Sequence, residues 1–196
     1  MVGVLTVLAA LILAVLPRFK PRASRIACAN NLKQIGLSFR LFATDNADHY
    51  PMQVPVLEGG TMELVSSGQV FPHFLAMSNE LGTPRILLCP RDKQRTNATK
   101  WSGLSDSNVS YFVGLDGEET EPSRWLSGDR NFTNRLAPGN RFLELTTNSV
   151  LGWSKEMHRQ AGNVVLCDGS VRQFSNSTLR AAIQAMGPGT NRLVIP

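Results

Sequence analysis

The first sixteen residues, Met1 to Leu16 (MVGVLTVLAALILAVL), carry no charge and nothing more polar than Thr6. A helix that is apolar on every face must be surrounded by something apolar, and a chain terminus has little domain around it to do so. As a helix the run spans about 24 Å, against the roughly 30 Å hydrocarbon core of a bilayer, which takes about 20 residues. Three readings stay open. A signal-peptide core fits the length, but no positive residue precedes it, and a basic stretch follows where a small-residue cleavage site belongs. A buried core helix is the second. The third, a membrane helix whose beginning lies upstream of Met1, agrees best with the residues that come next.

Pro17 and Pro21 interrupt or kink the helix, and Arg18, Lys20, Arg22 and Arg25 fall where lipid headgroups begin. From Cys28 the apolar residues recur at Cys28, Leu32, Ile35, Phe39 and Phe42, a spacing that defines one helical stripe. Asn30, Asn31, Lys33, Gln34 and Arg40 occupy the other faces, so this second half is amphipathic and has to dock its stripe on something. Asp45, Asn46 and Asp48 stop it, with Pro51 beyond. The charge balance of this stem also decides the meaning of the composition. A net charge of +5 and a pI near 9.5 would suggest nucleic acid as a partner. Yet six of the 20 basic residues precede the first acidic one, Asp45, which leaves 14 basic against 15 acidic residues in the remainder. The body is nearly neutral, and no nucleic-acid partner is expected.

From Pro51 onward the chain reads as short elements separated by Gly, Pro, Asn and Asp. The pattern predicts a short helix over Gln69–Leu81, with Phe71, Phe74, Leu75 and Met77 or Ser78 inward, closed by Gly82 and Pro84. It predicts strands at Ile86–Cys89, Val109–Val113, Arg124–Ser127 and Ser149–Trp153. Within Asn163–Phe174, Asp168-Gly169 lies between two β-prone runs and predicts a two-residue type I′ hairpin, whose turn positions both need positive φ. Thr178–Met186 reads as a closing helix, stopped by Gly187 and Pro188, and Leu193–Ile195 as an edge strand. Strands follow strands without crossover helices. The expected fold is therefore α+β, with a mainly antiparallel sheet whose apolar face receives the Cys28–Phe42 stripe. Three segments result: an apolar helix over 1–17, a basic stem and amphipathic helix over 18–48, and a head over 49–196.

The run LAALILAVLPRF followed by RIACANNLKQIGLSFRLFATDNADHYP resembles the start of type IV pilins and of the type II secretion protein G-like pseudopilins. Ile86–Asp92 (ILLCPRD), Val109–Asp116 (VSYFVGLD), Ser127–Asn131 (SGDRN) and His158-x9-Asp168-Gly169 resemble the bacterial branch marked by a C-terminal His-x9-Asp-Gly segment. The resemblance covers nearly the whole chain. It implies a pilin-like fold, a single-pass anchor in the cytoplasmic membrane that packs in a filament core, and an extracytoplasmic, periplasmic head. The implied partners are other pseudopilin subunits, the secretion platform and the lipid bilayer. The family's processing signal, Gly followed by Phe-Thr-Leu-Ile-Glu, is absent, and no Glu occurs before Glu58. The true start is therefore expected upstream, where a prepilin peptidase would cleave and methylate the new N-terminus. The positive-inside rule alone would hold the head in the cytoplasm. A basic leader restored upstream reverses that, so the head is expected outside.

His158 and Asp168 form the most tempting chemical pair. Catalysis would need a nucleophile and an oxyanion site, and no Gly-x-Ser-x-Gly element is present. Structural roles are expected instead: His158 bonds near the hairpin, and Asp168 and Gly169 make its turn. His49, His73, His158 and the three cysteines show no zinc-type spacing. Asp116, Glu118, Glu119 and Glu121 gather carboxylates around Gly117, the hard oxygen donors that calcium accepts, although a solvated acidic loop is the favoured alternative. Major pseudopilins hold calcium in a C-terminal loop that this segment does not match residue by residue. Apart from calcium, no cofactor is expected. Cys28 on the docking face and Cys89 at the end of a buried strand are placed to meet across the helix–sheet interface, as a disulfide worth a few kcal/mol or as two buried thiols. Cys167 is expected unpaired, and the sequons at Asn97, Asn108, Asn131 and Asn176 are expected to be polar turns.

Three function classes follow. The leading one is a non-enzymatic pseudopilin subunit of a type II secretion or related system. The second is an anchored extracytoplasmic binding protein on a pilin scaffold that does not assemble. The third, an anchored hydrolase using His158 and Asp168, is the least favoured.

Overall fold

The computed structural model describes residues 2–133 and 140–196 and, within the first helix, the side chains of residues 3, 4 and 23 onward. That helix, α1, runs Val2–Asp45. Apart from residues 3 and 4, the side chains of the expected anchor over 1–17 lie outside those described, and α1 is one helix through positions 17 and 21, where the sequence predicts that Pro17 and Pro21 interrupt or kink it. Among the described residues no helix is long and apolar enough to cross a membrane. The stripe is buried as its spacing requires: Cys28, Leu32, Ile35 and Phe39 are fully enclosed and Phe42 nearly so. The helix stops where expected because Ala47 and Asp48 turn to positive φ, which lets Asp48 N–H reach back to the Ala43 carbonyl at 2.9 Å. The Asn46 side-chain amide donates to the Phe42 carbonyl at 2.7 Å, satisfying another acceptor that the helix leaves open.

Two short helices, α2 (Phe71–Leu75) and α3 (Ser78–Leu81), stand where one was expected. Met77, at φ −100° and ψ 26°, breaks the run. The break keeps Phe74, Met77 and Leu81 in the core while Leu75 stays exposed. A second correction concerns Ile86–Cys89, which is no strand: Pro84–Leu87 forms a 3-10 turn, entered through Pro84 and capped by the Thr83 hydroxyl, which accepts from Arg85 N–H at 3.4 Å. Ser149–Trp153 is likewise not a strand, since only Trp153 bridges, to Phe132.

Among the described residues six strands form one antiparallel sheet: β1 (Tyr111–Gly114), β2 (Trp125–Asp129), β3 (Phe142–Leu145), β4 (Ala161–Leu166), β5 (Val171–Ser175) and β6 (Asn191–Val194), in the spatial order β3-β6-β1-β2-β4-β5. β6 is interior, not an edge, because the unanticipated β3 pairs with it from Phe142↔Val194 to Leu145↔Asn191. The hairpin of β4 and β5 is present, but its turn differs from the expected type. Leu166 N–H donates to the Ser170 carbonyl and Gly169 N–H to the Leu166 carbonyl, both at 2.9 Å, and of Asp168 and Gly169 only Gly169 has positive φ, at 80°. That is a three-residue loop with a left-handed glycine closing a type I turn, which leaves Asp168 in an ordinary conformation.

Both faces of the sheet are covered. Alternate residues Tyr111, Val113, Val165 and Val194 join the α1 stripe in one core. Phe112, Trp125, Val164 and Leu193 join Trp153 and the closing helix α4 (Asn176–Gln184) in another, through Leu179 and Ile183. Double coverage explains why Ala161–Val165 are all buried, with no alternation between wet and dry positions. α1 can approach β4 because position 36 is glycine: a Cβ there would lie 2.5 Å from Val165 Cγ2, well inside contact distance.

Candidate functional site

The first turn of the docked stripe faces the most polar part of the core. Cys28 comes from α1, and Asp129 comes from the last position of β2, where the register Tyr111↔Asp129 sets the two side chains next to each other on the helix-facing side. Cys89 follows the 3-10 turn, whose Leu87 carbonyl accepts from Ser110 N–H at 2.9 Å and so holds the segment against the start of β1. His158 precedes two consecutive left-handed non-glycine residues, Arg159 and Gln160, at φ 55° and 63°. Such a pair is costly and persists only where surrounding contacts enforce it. Here Gln160 N–H bonds to the Ser154 carbonyl at 3.0 Å, and Arg25 of α1 donates to the His158 carbonyl.

These four side chains converge. Cys28 Sγ donates to Asp129 Oδ1 at 3.0 Å and lies 3.3 Å from Tyr111 Oη. Cys89 Sγ and His158 Nε2 are 3.3 Å apart, and His158 Nε2 is 3.4 Å from Asp129 Oδ2. One donor atom from each of the four residues lies within 4.8 Å of the others, and all four residues are buried. Asn163 fixes the carboxylate from outside, donating both its backbone N–H and its side-chain amide to Asp129 Oδ2 at 2.7 and 2.8 Å. Around the cluster, Arg130 grips the Asp92 carboxylate with two bonds of 2.7 and 2.8 Å, tying the loop after Cys89 to the end of β2.

Burial governs the protonation of the group. Loss of water pushes Asp129 up to about 6, although the Cys28 thiol and Asn163 favour its ionised form. Burial lowers His158 to about 4, and the nearby Arg25 and Arg91 act in the same direction. The His158–Asp129 contact is therefore one of neutral imidazole with a carboxyl group, not an ion pair. Burial also raises the Cys28 thiol and the Tyr111 phenol well above their usual ranges. Two sulfurs, an imidazole nitrogen and a carboxylate oxygen form a borderline-soft donor set of the kind that holds zinc.

The residues singled out by sequence are placed differently. His158 and Asp168 are not brought together: they lie beyond opposite ends of β4, whose six residues alone span about 20 Å, and the nine intervening residues measure that strand and its flanks. The histidine's carboxylate neighbour is Asp129, which sequence reasoning did not single out. Asp168 serves the turn, accepting from Ser170 N–H at 2.8 Å, while its carbonyl accepts from Arg40 at 3.2 Å. Cys28 and Cys89 do come within 4.8 Å of each other, Cys89 from the loop after the 3-10 turn and not from a strand, and both are free thiols, as is buried Cys167. The acidic loop is dispersed among arginines: Asp116 pairs with Arg192, Glu119 with Arg40 at 3.8 Å and Glu121 with Arg124. Glu118 accepts from the Thr120 hydroxyl at 3.3 Å. Local zinc-type spacing could not have revealed the four-residue cluster, because Cys28 and Asp129 are 101 positions apart and Cys89 and His158 are 69 apart. Comparison with protein families, with curated proteins and with solved structures finds no match to this chain.

Proposed function

We propose that the chain is a membrane-anchored, pilin-like structural subunit of a type II secretion or related filament, with an extracytoplasmic head and no chemistry of its own. The observation that carries this reading is the division of labour along α1. The helix begins at Val2, while the first buried side chain among those described is Cys28, and from there to Phe42 one stripe is sealed against an antiparallel sheet. Such a helix has one half committed to the head, and a charge-free run at its other end is what a bilayer or the core of an assembly would take up. Ile26, Leu37 and Leu41 stay exposed on the outer face of the docked half and supply apolar contacts for neighbouring copies.

Fractionation tests the anchor. The full chain expressed in a bacterial host should remain in membranes after alkaline carbonate extraction, with its head open to protease added to spheroplasts. Deleting residues 2–16 should release it. Recovery of the intact chain in the soluble fraction, or a head protected from protease, would overturn the anchored reading. Assembly has its own readout: Leu37→Cys or Leu41→Cys should give cross-linked ladders in cells that hold the secretion machinery. A chain that stays monomeric there is the anchored binding protein and not a filament subunit.

A further inference from the structure

We propose that Cys28, Cys89, Asp129 and His158 bind one zinc ion that fastens the N-terminal helix to the head. Nothing in this inference depends on whether the chain assembles. Its basis is the agreement between the donor distances and the shape a metal demands. Zinc holds sulfur at about 2.3 Å and nitrogen or oxygen at about 2.0–2.1 Å in a tetrahedron, whose edges are then about 3.5 Å from sulfur to nitrogen or oxygen and about 3.3 Å from nitrogen to oxygen. The structure has 3.0 Å from Cys28 Sγ to Asp129 Oδ1 and 3.3 Å from Cys89 Sγ to His158 Nε2, with His158 Nε2 also 3.4 Å from the second carboxylate oxygen, Oδ2. One donor atom from each of the four side chains lies within 4.8 Å of the others, close enough for a single four-coordinate ion to draw them in.

The surroundings complete the design of a structural site. Asn163 saturates Asp129 Oδ2 with two N–H donors, which turns Oδ1 toward the cysteines and fixes the carboxylate plane. On binding, the ion displaces the thiol protons of Cys28 and Cys89 to solvent. Two thiolates, one carboxylate and Zn²⁺ then carry a net charge of −1, and Arg25 and Arg91 beside His158 face that charge. A groove of about 350 Å³ lined by Arg25, Ile26 and Asn163 runs beside the cluster, adjoining it through Asn163. Without an ion the fold seals a carboxyl group, an imidazole and two thiols from water, with hydrogen bonds among themselves and from Asn163 and Tyr111 to offset the burial. With the ion, its binding free energy becomes folding free energy, and it connects α1, the loop after the 3-10 turn, β2 and the turn before β4.

The test uses the full chain in mild detergent, purified without added metal and then stripped by a chelator. Elemental analysis of the unstripped protein should find one zinc per chain. Cobalt(II) added to the stripped protein should give the intense visible bands of a tetrahedral site together with a near-ultraviolet thiolate charge-transfer band, saturating at one equivalent. Cys89→Ser and His158→Ala should abolish both signals, Cys167→Ser should leave them intact, and Asn163→Ala should weaken cobalt binding by about 10–100-fold. Chelation should lower the wild-type melting temperature and zinc should restore it, a readout that stands even where a ligand variant fails to fold. The proposal is overturned if the wild type neither holds zinc nor develops the cobalt spectrum, if Cys167→Ser loses metal as fully as Cys89→Ser, or if mass analysis finds Cys28 and Cys89 joined in a disulfide in the purified protein.

Discussion

Truncating Phe39 to alanine separates the docked face of α1 from its open face. The ring is fully enclosed and meets Tyr50 and Phe74 edge-on, with centroids 5.8 and 6.2 Å away. Removing a buried phenylalanine costs about 3–5 kcal/mol, of which each aromatic pair accounts for about 0.5–1.5. Two positions earlier, Leu37 is 58% exposed. It has less than half of its side chain to lose from a burial worth about 1.5–3 kcal/mol, so Leu37→Ala should cost about 1 kcal/mol or less. With a urea dependence of about 2 kcal/mol/M, the unfolding midpoint should fall by about 2 M for Phe39→Ala and by under about 0.5 M for Leu37→Ala. Fluorescence of the buried Trp125 and Trp153, neither of which lies on α1, reports on the head in the full chain held in detergent. A loss at Phe39 no larger than that at Leu37 would refute the claim that the stripe is sealed into the head, since a helix free of the sheet would register both truncations alike.

Acid stability should carry the signature of His73, which burial holds down at about 4 while its Nδ1 bonds to the Thr61 hydroxyl at 2.7 Å. Its folded pKa lies below the unfolded 6.5, so the unfolded state binds more protons between those values. The stabilisation is complete above about 6.5 and lost as pH falls toward 4, by up to about 3 kcal/mol, and urea titrations of His73→Gln across that window should be flatter by that amount. Asp92 ionises despite its burial because Arg130 holds it in two hydrogen bonds. Asp92→Ala should therefore destabilise by about 3–5 kcal/mol by stranding the guanidinium, and the double variant with Arg130→Leu should recover much of the loss in a double-mutant cycle. At the hairpin, Gly169→Ala should cost about 1–2 kcal/mol in the same unfolding assay and Gly169→Asn less, because φ is 80° there and asparagine tolerates that region better than alanine does.

What the sequence determines is what repeats over a few residues. The spacing from Cys28 to Phe42 states which side of α1 is buried, and Asp45, Asn46 and Asp48 mark its end, because helix periodicity and capping are properties of adjacent residues. Asp168-Gly169 between two β-prone runs likewise identifies a hairpin, and the succession of strands without crossover helices gives the α+β class. What lies between segments is decided by pairing. β6 is interior because β3 joins it, and the hairpin loop has three residues because Val165↔Val171 sets the register. The Cys28, Cys89, Asp129 and His158 cluster is the extreme case. Each residue comes from a different element, and only the Tyr111↔Asp129 register, the Thr83-capped turn and the left-handed pair after His158 bring the four donors together. A sequence carries local periodicity in full, whereas the meeting of distant side chains follows from how strands align and helices seat, which no spacing along the chain encodes.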